Sequence, residues 1–495
     1  MQRRFLTLGV CLLLIVSSAF AESPQPTLLI DLGVLEEAQL SEALAIFRGD
    51  REDALASAIR GRALLVVTEA EATVLRERGF TSTEVMRDSD IVQLYRRALY
   101  GPSMEMPEAY HSYEEILEVV DSLVSAHPEL IRRFEIGTTS QEGRSIFAIS
   151  ITSPVHPPAE KPSILLNGCH HADEVMGAEI CTAAIRELVS RYGADSMVTA
   201  WLDNLEIVVV PVVNVDGHGV VTSGRDPRWR KNTRDTNENG ILYEYPEGVD
   251  LNRNYDFNWA HGGSGDSSSV RFRGRLPMSE SENRAMERLA RDRRFLLSLT
   301  YHSQGEVIYY PWMWRGRPAP DDRLLAEIAR ELAGSIPTMK GDTCYRAEYG
   351  AGTVGQSYPY LYGRFGTLDF VVETGRGGHI FPQEEIAGIV AGNLGGIQAI
   401  LRRAAGPGIT LLVTDKRTGS PLSASVWLPE IDTEEIDRRT SHPATGRHWR
   451  LLMPGEHRLI VSRDGYDPSL LNNVVVHPEG WTEVRVALNP SKVQD

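Results

Sequence analysis

Cysteine is scarce in this chain: four residues in 495, Cys11, Cys169, Cys181 and Cys344. Cys11 lies in a short apolar run at the start, and the other three are too few, and odd in number, for a disulfide framework. One bridge is allowed and none is needed. Positive charge is also in deficit, with 51 Lys and Arg against 67 Asp and Glu and a formal net charge of -16. That balance argues against a nucleic-acid partner, which needs a basic face. The apolar run at the start, Phe5 to Val16, falls well short of the roughly 20 residues of a membrane span. Internal repeats and low-complexity tracts are absent, which excludes solenoids and tail-like segments. What remains is 42% hydrophobic and 24% charged, the composition of a globular protein, and the length suits two or three domains.

The beginning, MQRRFLTLGVCLLLIVSSAFAES, has the layout of an export signal. Arg3 and Arg4 precede the apolar run, and Ala19-Phe20-Ala21 offers small residues for cleavage. Leu8-Gly9-Val10 lacks the small residue that a lipoprotein signal places next to its cysteine, so no membrane anchor is expected. Residues 1–21 therefore read as a signal peptide of a secreted or periplasmic protein. Residues 22–107 mix a strand-like RALLVV with a helix-like EAEATVLRERG, a small α/β region that resembles a prosegment in size and place. In residues 108–406, near-continuous apolar runs (SILLNG, NLEIVVVPVVN, FLLSLTYHS, TLDFVVET) alternate with helical patterns such as AEICTAAIRELVSRYG. Runs of that kind mark strands buried on both faces, and the alternation predicts an α/β fold: a mixed, mostly parallel twisted sheet with helices on both faces. After the linker AAGPG, residues 407–495 change to short strands between Gly-, Pro- and Asp-rich turns, an all-β sandwich.

Asn167 to Gly177, NGCHHADEVMG, holds two overlapping His-x-x-acid spacings, His170 with Asp173 and His171 with Glu174. Alone, these residues suit a polar loop equally well. The rest of the chain changes the balance. His171 lies just past SILLNG, His302 closes FLLSLTYH and Glu373 ends TLDFVVE. Ligand crevices of open α/β sheets lie outside the carboxyl ends of the strands, so three strands deliver these residues to one edge, with Glu174 beside them. Two neutral imidazoles, one carboxylate and an open fourth position make a catalytic zinc site. A second carboxylate must take the proton of the zinc water, and Glu373 is free for this if Glu174 is a ligand. Arg230, in DPRWRKN, is a fixed cation suited to an oxyanion. Asn252 and Arg253, in GVDLNRNYDFNW, can grip a carboxylate through a guanidinium fork. Such a set can hydrolyse the last peptide bond of a chain, with peptide or protein C-termini as substrates.

In the region from about 110 to 400 the sequence resembles the zinc metallocarboxypeptidases of the carboxypeptidase A type. YHSYEEILEVVDSLVSAHPELIRRFEIGTTSQEGRSIFAISI looks like that family's opening stretch, and the site motifs recur in the family's order. The resemblance implies one zinc ion per chain, held by His171, Glu174 and His302, with Arg230 at the oxyanion and Asn252 and Arg253 at the substrate carboxylate. It implies Glu373 as general base and Tyr349, in YGAGTVGQSY, as the tyrosine that closes over substrate. His170 and Asp173 then become supporting or loop residues. TGRHWRLLMPGEHRLIVSRDGY is similar to the transthyretin-like domain of the regulatory, carboxypeptidase E/N/D-like branch, which implies selectivity for C-terminal Lys or Arg. Gln356 falls where that branch keeps a glutamine in the pocket. Met313 stands where the branch carries an aspartate, and a basic side chain facing it would lose its buried partner at a cost of several kcal/mol. Basic selectivity, implied by the branch, and an apolar or mixed preference, implied by Met313, therefore both stand as expectations.

A smaller motif, DTNENG, places Asp235, Asn237, Asn239 and Gly240 at the spacing of the first half of an EF-hand loop. Its twelfth position is Pro246 rather than Glu, with Glu247 one residue late. An acidic turn is the simpler reading and calcium the alternative. Two other functions stay open: a same-fold peptidase or amidase acting on cell-wall peptides, and a non-catalytic peptide-binding protein.

Overall fold

Apolar runs with no alternation become stable strands only when both faces of their sheet are covered, and that requirement organises the chain. The computed structural model describes residues 27–34, 39, 56–59, 62–87, 106–155, 161–238, 240, 243, 247–350 and 354–491; the expected signal peptide lies outside them. Two compact units result, residues 1–105 with 264–269, and residues 106–263 with 270–495.

In the first unit, β1 (Thr27–Val34), β2 (Ala56–Ile59), β3 (Arg62–Thr68) and β4 (Thr83–Arg87) form an antiparallel sheet in the order β2-β3-β1-β4. RALLVV is β3, and the helix-like EAEATVLRERG gives α1 (Glu69–Glu77). Ala72 and Leu75, three residues apart on α1, are buried.

The second unit opens with α2 (Tyr113–Ala126), started by a capping box between Ser112 and Glu115. There follow β5 (Ile131–Thr138), β6 (Ser145–Ile151), β7 (Ser163–Gly168), α3 (Met176–Arg191), α4 (Ser196–Asn204), β8 (Glu206–Val210), α5 (Val215–Thr222) and α6 (Ser281–Arg293). After these come β9 (Leu297–His302), β10 (Val307–Tyr310), the ribbon of β11 (Met313–Trp314) and β12 (Arg317–Pro318), and α7 (Asp322–Ala333). The segment closes with β13 (Arg346–Tyr349), α8 (Ser357–Tyr360), β14 (Leu368–Glu373) and α9 (Gln383–Arg403).

The main sheet has eight strands in the order β13-β10-β14-β9-β7-β8-β6-β5. Its central strands β14, β9, β7 and β8 run parallel, as their apolar composition requires. Antiparallel pairings lie to either side, at β10–β14 and at β8–β6–β5. The helices fall into two groups: α3 packs with α2 and α9, while α6 packs on β5 and near the helical turn of residues 361–365. This is the mixed, mostly parallel α/β sheet expected from the sequence. Glu373 pairs with His302 across β14–β9, and Gly168 pairs with Tyr301 across β7–β9. Three strands therefore end level with one another.

The last part carries β15 (Gly408–Asp415), β16 (Ser425–Trp427), β17 (Arg439–Thr440), β18 (Arg447–Leu451), β19 (Gly455–Ser462), β20 (Ser469–Val476) and β21 (Trp481–Leu488). They make two sheets, β18-β15-β21 and β17-β16-β19-β20. Alternate residues such as Ile409, Leu411 and Val413 of β15 and Val484, Val486 and Leu488 of β21 share one apolar cluster with Leu459 and Val461 of β19.

Candidate metal centre

At the end of β7 the chain turns sharply: Cys169 has φ 54°, a left-handed conformation uncommon for a residue with a Cβ. The turn carries His170 and His171 past the sheet edge, and Glu174 follows just before α3. His171 Nδ1 lies 2.8 Å from Glu174 Oε1, and His302 Nδ1 lies 2.6 Å from Glu174 Oε2. The two Nδ1 atoms are 3.1 Å apart. One ligand atom from each of these three buried residues falls within 4.8 Å of the others, a group that can hold a metal ion. Two imidazoles and one carboxylate are a donor set that zinc accepts.

Surrounding contacts fix the donors. Behind His171, Nε2 lies 2.9 Å from Arg230 Nη2 and 3.2 Å from Asp250 Oδ1; with Nδ1 toward the ion, an N–H at Nε2 has Asp250 as its acceptor. Burial opposes ionisation of Asp250, but Arg230 and His171 hold its carboxyl well below the usual range. Arg230 donates to Asp250 Oδ2 from Nε and Nη2 at 3.3 Å, and to Glu174 Oε1 from Nη1 at 3.3 Å. The Ser303 amide donates to Glu174 Oε2 (3.2 Å). Asn252 Nδ2 is 3.1 Å from His302 Nε2, and Asn252 Oδ1 accepts from the Ser357 amide (2.9 Å). Arg253 is buried beside it and donates to the Asn252 carbonyl (3.0 Å).

Glu373 is half-buried at the end of β14. A Cβ on Gly305 would stand 3.3 Å from its Cβ, so glycine there leaves it room. Burial, and then the neighbouring Glu174 carboxylate, push its carboxyl up to about 8; a divalent cation in the group would oppose both effects. His170 points elsewhere: Nε2 lies 2.8 Å from the Tyr255 hydroxyl, and burial keeps the ring neutral. Asp173 pairs with His379, with Oδ2 2.7 Å from Nδ1. Burial disfavours the imidazolium, yet Asp173 outweighs it and raises His379 to about 9. Asp173, Glu174 and His379 form a second group with ligand atoms within 4.8 Å.

The three pocket residues are not members of the metal group. Tyr349, on the edge strand β13, donates its hydroxyl to Asp322 (2.7 Å) and packs on Tyr310, making no hydrogen bond to the metal group. Gln356 is half-buried at the start of α8, and Met313 is half-buried in the ribbon opposite Pro318. The acidic turn shows no cation cluster among the described residues. Both Asp235 oxygens are taken by backbone amides, Oδ1 by Glu238 and Oδ2 by Gly240, and Glu247 Oε1 accepts from Asn237. Asn239 and Pro246 lie outside the described residues. Reading along the sequence missed Asp250 and His379. For Asp250 a signal existed, since an imidazole ligand needs a partner for its second nitrogen and the carboxylate stands two residues before Asn252.

Comparison with known proteins places these observations. Residues 116–394 match the family described as zinc carboxypeptidase. Carboxypeptidase B of Bos taurus is 30% identical over 289 residues, 56% of this chain and 67% of that protein. Carboxypeptidase A1 of Mus musculus is 28% identical over 291 residues, 56% and 66% of the two chains. The alignments thus span about two thirds of those relatives. Two solved structures share the fold: thrombin activatable fibrinolysis inhibitor (TM-score 0.55, 20% identity, 77% of this chain and 99% of that one) and carboxypeptidase A from Helicoverpa armigera (TM-score 0.56, 22% identity, 77% and 98%).

Proposed function

The chain belongs to the zinc carboxypeptidase family, and from that premise we propose that it is an exported metallocarboxypeptidase removing the C-terminal residue of peptides or proteins. One observation carries the reading: His302 groups with His171 and Glu174, and Glu373 stands opposite His302 on the neighbouring strand. In this reading His171, Glu174 and His302 hold one zinc ion per chain, which supplies a Lewis acid and lowers the pKa of a water to about 7. Glu373 accepts the proton of the attacking water and delivers it to the leaving amine. Arg230, already aimed at the group, faces the oxyanion. Asn252 and Arg253 hold the substrate's terminal carboxylate, and Tyr349 covers it after leaving Asp322. Gln356 and Met313 line the side-chain pocket, where Met313 in place of an aspartate favours an apolar or mixed terminal residue. Residues 1–21 direct export, residues 22–107 act as a prosegment, and residues 407–495 are a transthyretin-like sandwich. No helix among the described residues is long and apolar enough to cross a membrane.

The test combines metal content with release of a C-terminal amino acid. Wild type should hold zinc and cleave free-ended peptides far faster than amidated ones. Glu373→Gln should keep its zinc and lose about 10²–10⁴ in kcat. Equal rates on free and amidated peptides would sink the exopeptidase reading in favour of an endopeptidase or amidase. Full zinc with an unchanged rate in Glu373→Gln would remove that residue from the chemistry.

A further inference from the structure

A cavity of about 240 Å³ lies between the sheet-and-helix part of the second unit and its C-terminal strands, and it is lined by nine lysines and arginines against one carboxylate, Asp321. In a chain of net charge -16 such a concentration is a local feature and not a compositional drift. Asp321 does not neutralise it, because its charge is engaged by Arg450 at 3.3 Å. Arg291, Arg293 and Arg364 also have carboxylate partners. Lys161, Arg294, Arg438, Arg439 and Arg447 have none among the described residues. Lys161 donates to Thr152 and to the carbonyls of Ser153 and Leu202, and Arg294 to Thr440 and to the Ser441 carbonyl. Arg438 lies over the Trp427 ring.

Arg439 makes the strongest case. Its side chain is 95% removed from solvent by its 5% exposure, Nη1 donates to the Tyr362 carbonyl at 2.9 Å, and Nη2 has no partner. The close approach is built in: a Cβ at Gly366, which has φ +82°, would come within 2.6 Å of the guanidinium Nε. His448 Nε2 is likewise buried without a partner, and burial followed by the charges of Arg450 and Arg439 presses its pKa down to about 3. The guanidinium lies over the Tyr362 ring and feels Asp321 and Asp432, but a buried N–H donor left without an acceptor is costly, and cations converging from two walls repel one another. A ligand carrying negative charge relieves both.

We propose that this cavity is a binding site for a small organic polyanion bearing two or more phosphate or sulfate groups. Guanidinium forks match tetrahedral oxyanions in geometry and charge. At roughly 30 Å³ per water in the liquid, the cavity is too roomy for a single inorganic ion and suits several charged groups on a compact frame. Arg294 reaches the ligand from the end of α6, and Arg439, Arg447 and His448 reach it from β17 and β18. The ligand therefore ties the two parts of the unit together.

Calorimetric titration of the full chain with pyrophosphate and, separately, with a trisulfated heparin disaccharide, at physiological salt and with acetate as control, tests this. At least one probe should bind saturably at one site and raise Tm, and the stronger of the two identifies phosphate or sulfate as the recognised group. Arg447→Ala, at an exposed position, and Arg294→Gln should each weaken binding about tenfold or more. Arg439→Gln is left aside because its hydrogen bond to Tyr362 makes misfolding a rival explanation. Failure of both probes to saturate below about 10 mM, or affinities within twofold of wild type in both variants, overturns the proposal.

Discussion

Asp250 stands behind His171 and beside Arg230, touching both while reaching into neither the metal group nor a substrate position. Replacing it with Asn keeps the shape and removes the charge that holds the ring. Such supporting partners typically contribute 10–100-fold in metal affinity. Asp250→Asn should therefore lower zinc affinity about that much in a chelator competition, and unchanged affinity would show that Arg230 alone orients the ring. The pair of Asp173 and His379 makes a different prediction. Because Asp173 raises His379 to about 9 in the folded chain, against about 6.5 unfolded, its stabilisation is complete below about 6.5. It is lost as pH rises through about 9. An NMR titration should find His379 protonated at neutral pH and, in Asp173→Asn, shifted back toward the ordinary value; titration still near 9 in that variant would assign the shift to another neighbour. His171, Glu174, His302 and Glu373 were legible because each sits at or just past the end of an apolar run. The partnerships of Asp250 with His171 and of His379 with Asp173 span 79 and 206 residues of sequence. No local pattern encodes the pairing of His379, and the signal for Asp250 was its place two residues before Asn252 rather than any periodicity.

The elements that deliver the ligands meet through glycine. A Cβ on Gly168, the last residue of β7, would lie 2.7 Å from the carbonyl carbon and 2.8 Å from the carbonyl oxygen of Gly177 in α3. A Cβ on Gly177 would lie 3.1 Å from the Cβ of Tyr301 in β9. Backbone cannot swing aside as a long side chain can, so Gly168→Ala has to push α3 away from the sheet. Overpacking of this kind costs about 1–3 kcal/mol, and here it also displaces the 169–175 turn that bears His171 and Glu174. The variant should unfold at lower denaturant concentration and bind zinc more weakly; wild-type values for both would show that the turn is positioned from elsewhere. At this scale SILLNG, FLLSLTYH and TLDFVVE were readable as buried strands because none alternates, and RALLVV and its following helix were readable from the change of period. The order of the sheet was not. Placing β10 antiparallel to β14 and parallel to β13 depends on where loops return, and two-residue strands such as β17 are too short to carry a period.

The two parts of the second unit share more than a linker. Ile436 and Leu451, from the C-terminal strands and their loops, belong to the main apolar core, and Trp449, Met453 and Trp481 pack against it. Through this contact runs an ionic cluster: Arg450 donates to both oxygens of Asp432, at 2.9 and 2.7 Å, and to Asp321 at 3.3 Å. All three side chains are nearly excluded from water. Tyr362 adds a hydrogen bond to Asp321 at 2.8 Å. Burial works against the charge on Asp432, yet Arg450 keeps its carboxyl below the usual range. The pairing's contribution is therefore present at neutral pH and fades as pH falls through the acid range. Arg450→Met preserves much of the buried stem while leaving two carboxylates without their cation, in a place where water cannot replace it. Breaking a buried pair from one side costs about 3–5 kcal/mol. Calorimetry should show one transition in the wild type for residues 106–491, since the C-terminal strands complete the core of the rest. In Arg450→Met that transition should move down, and separate into two if the strands melt first. A transition that keeps its position and shape would mean that the apolar contact alone holds the parts together and that the ionic cluster contributes little.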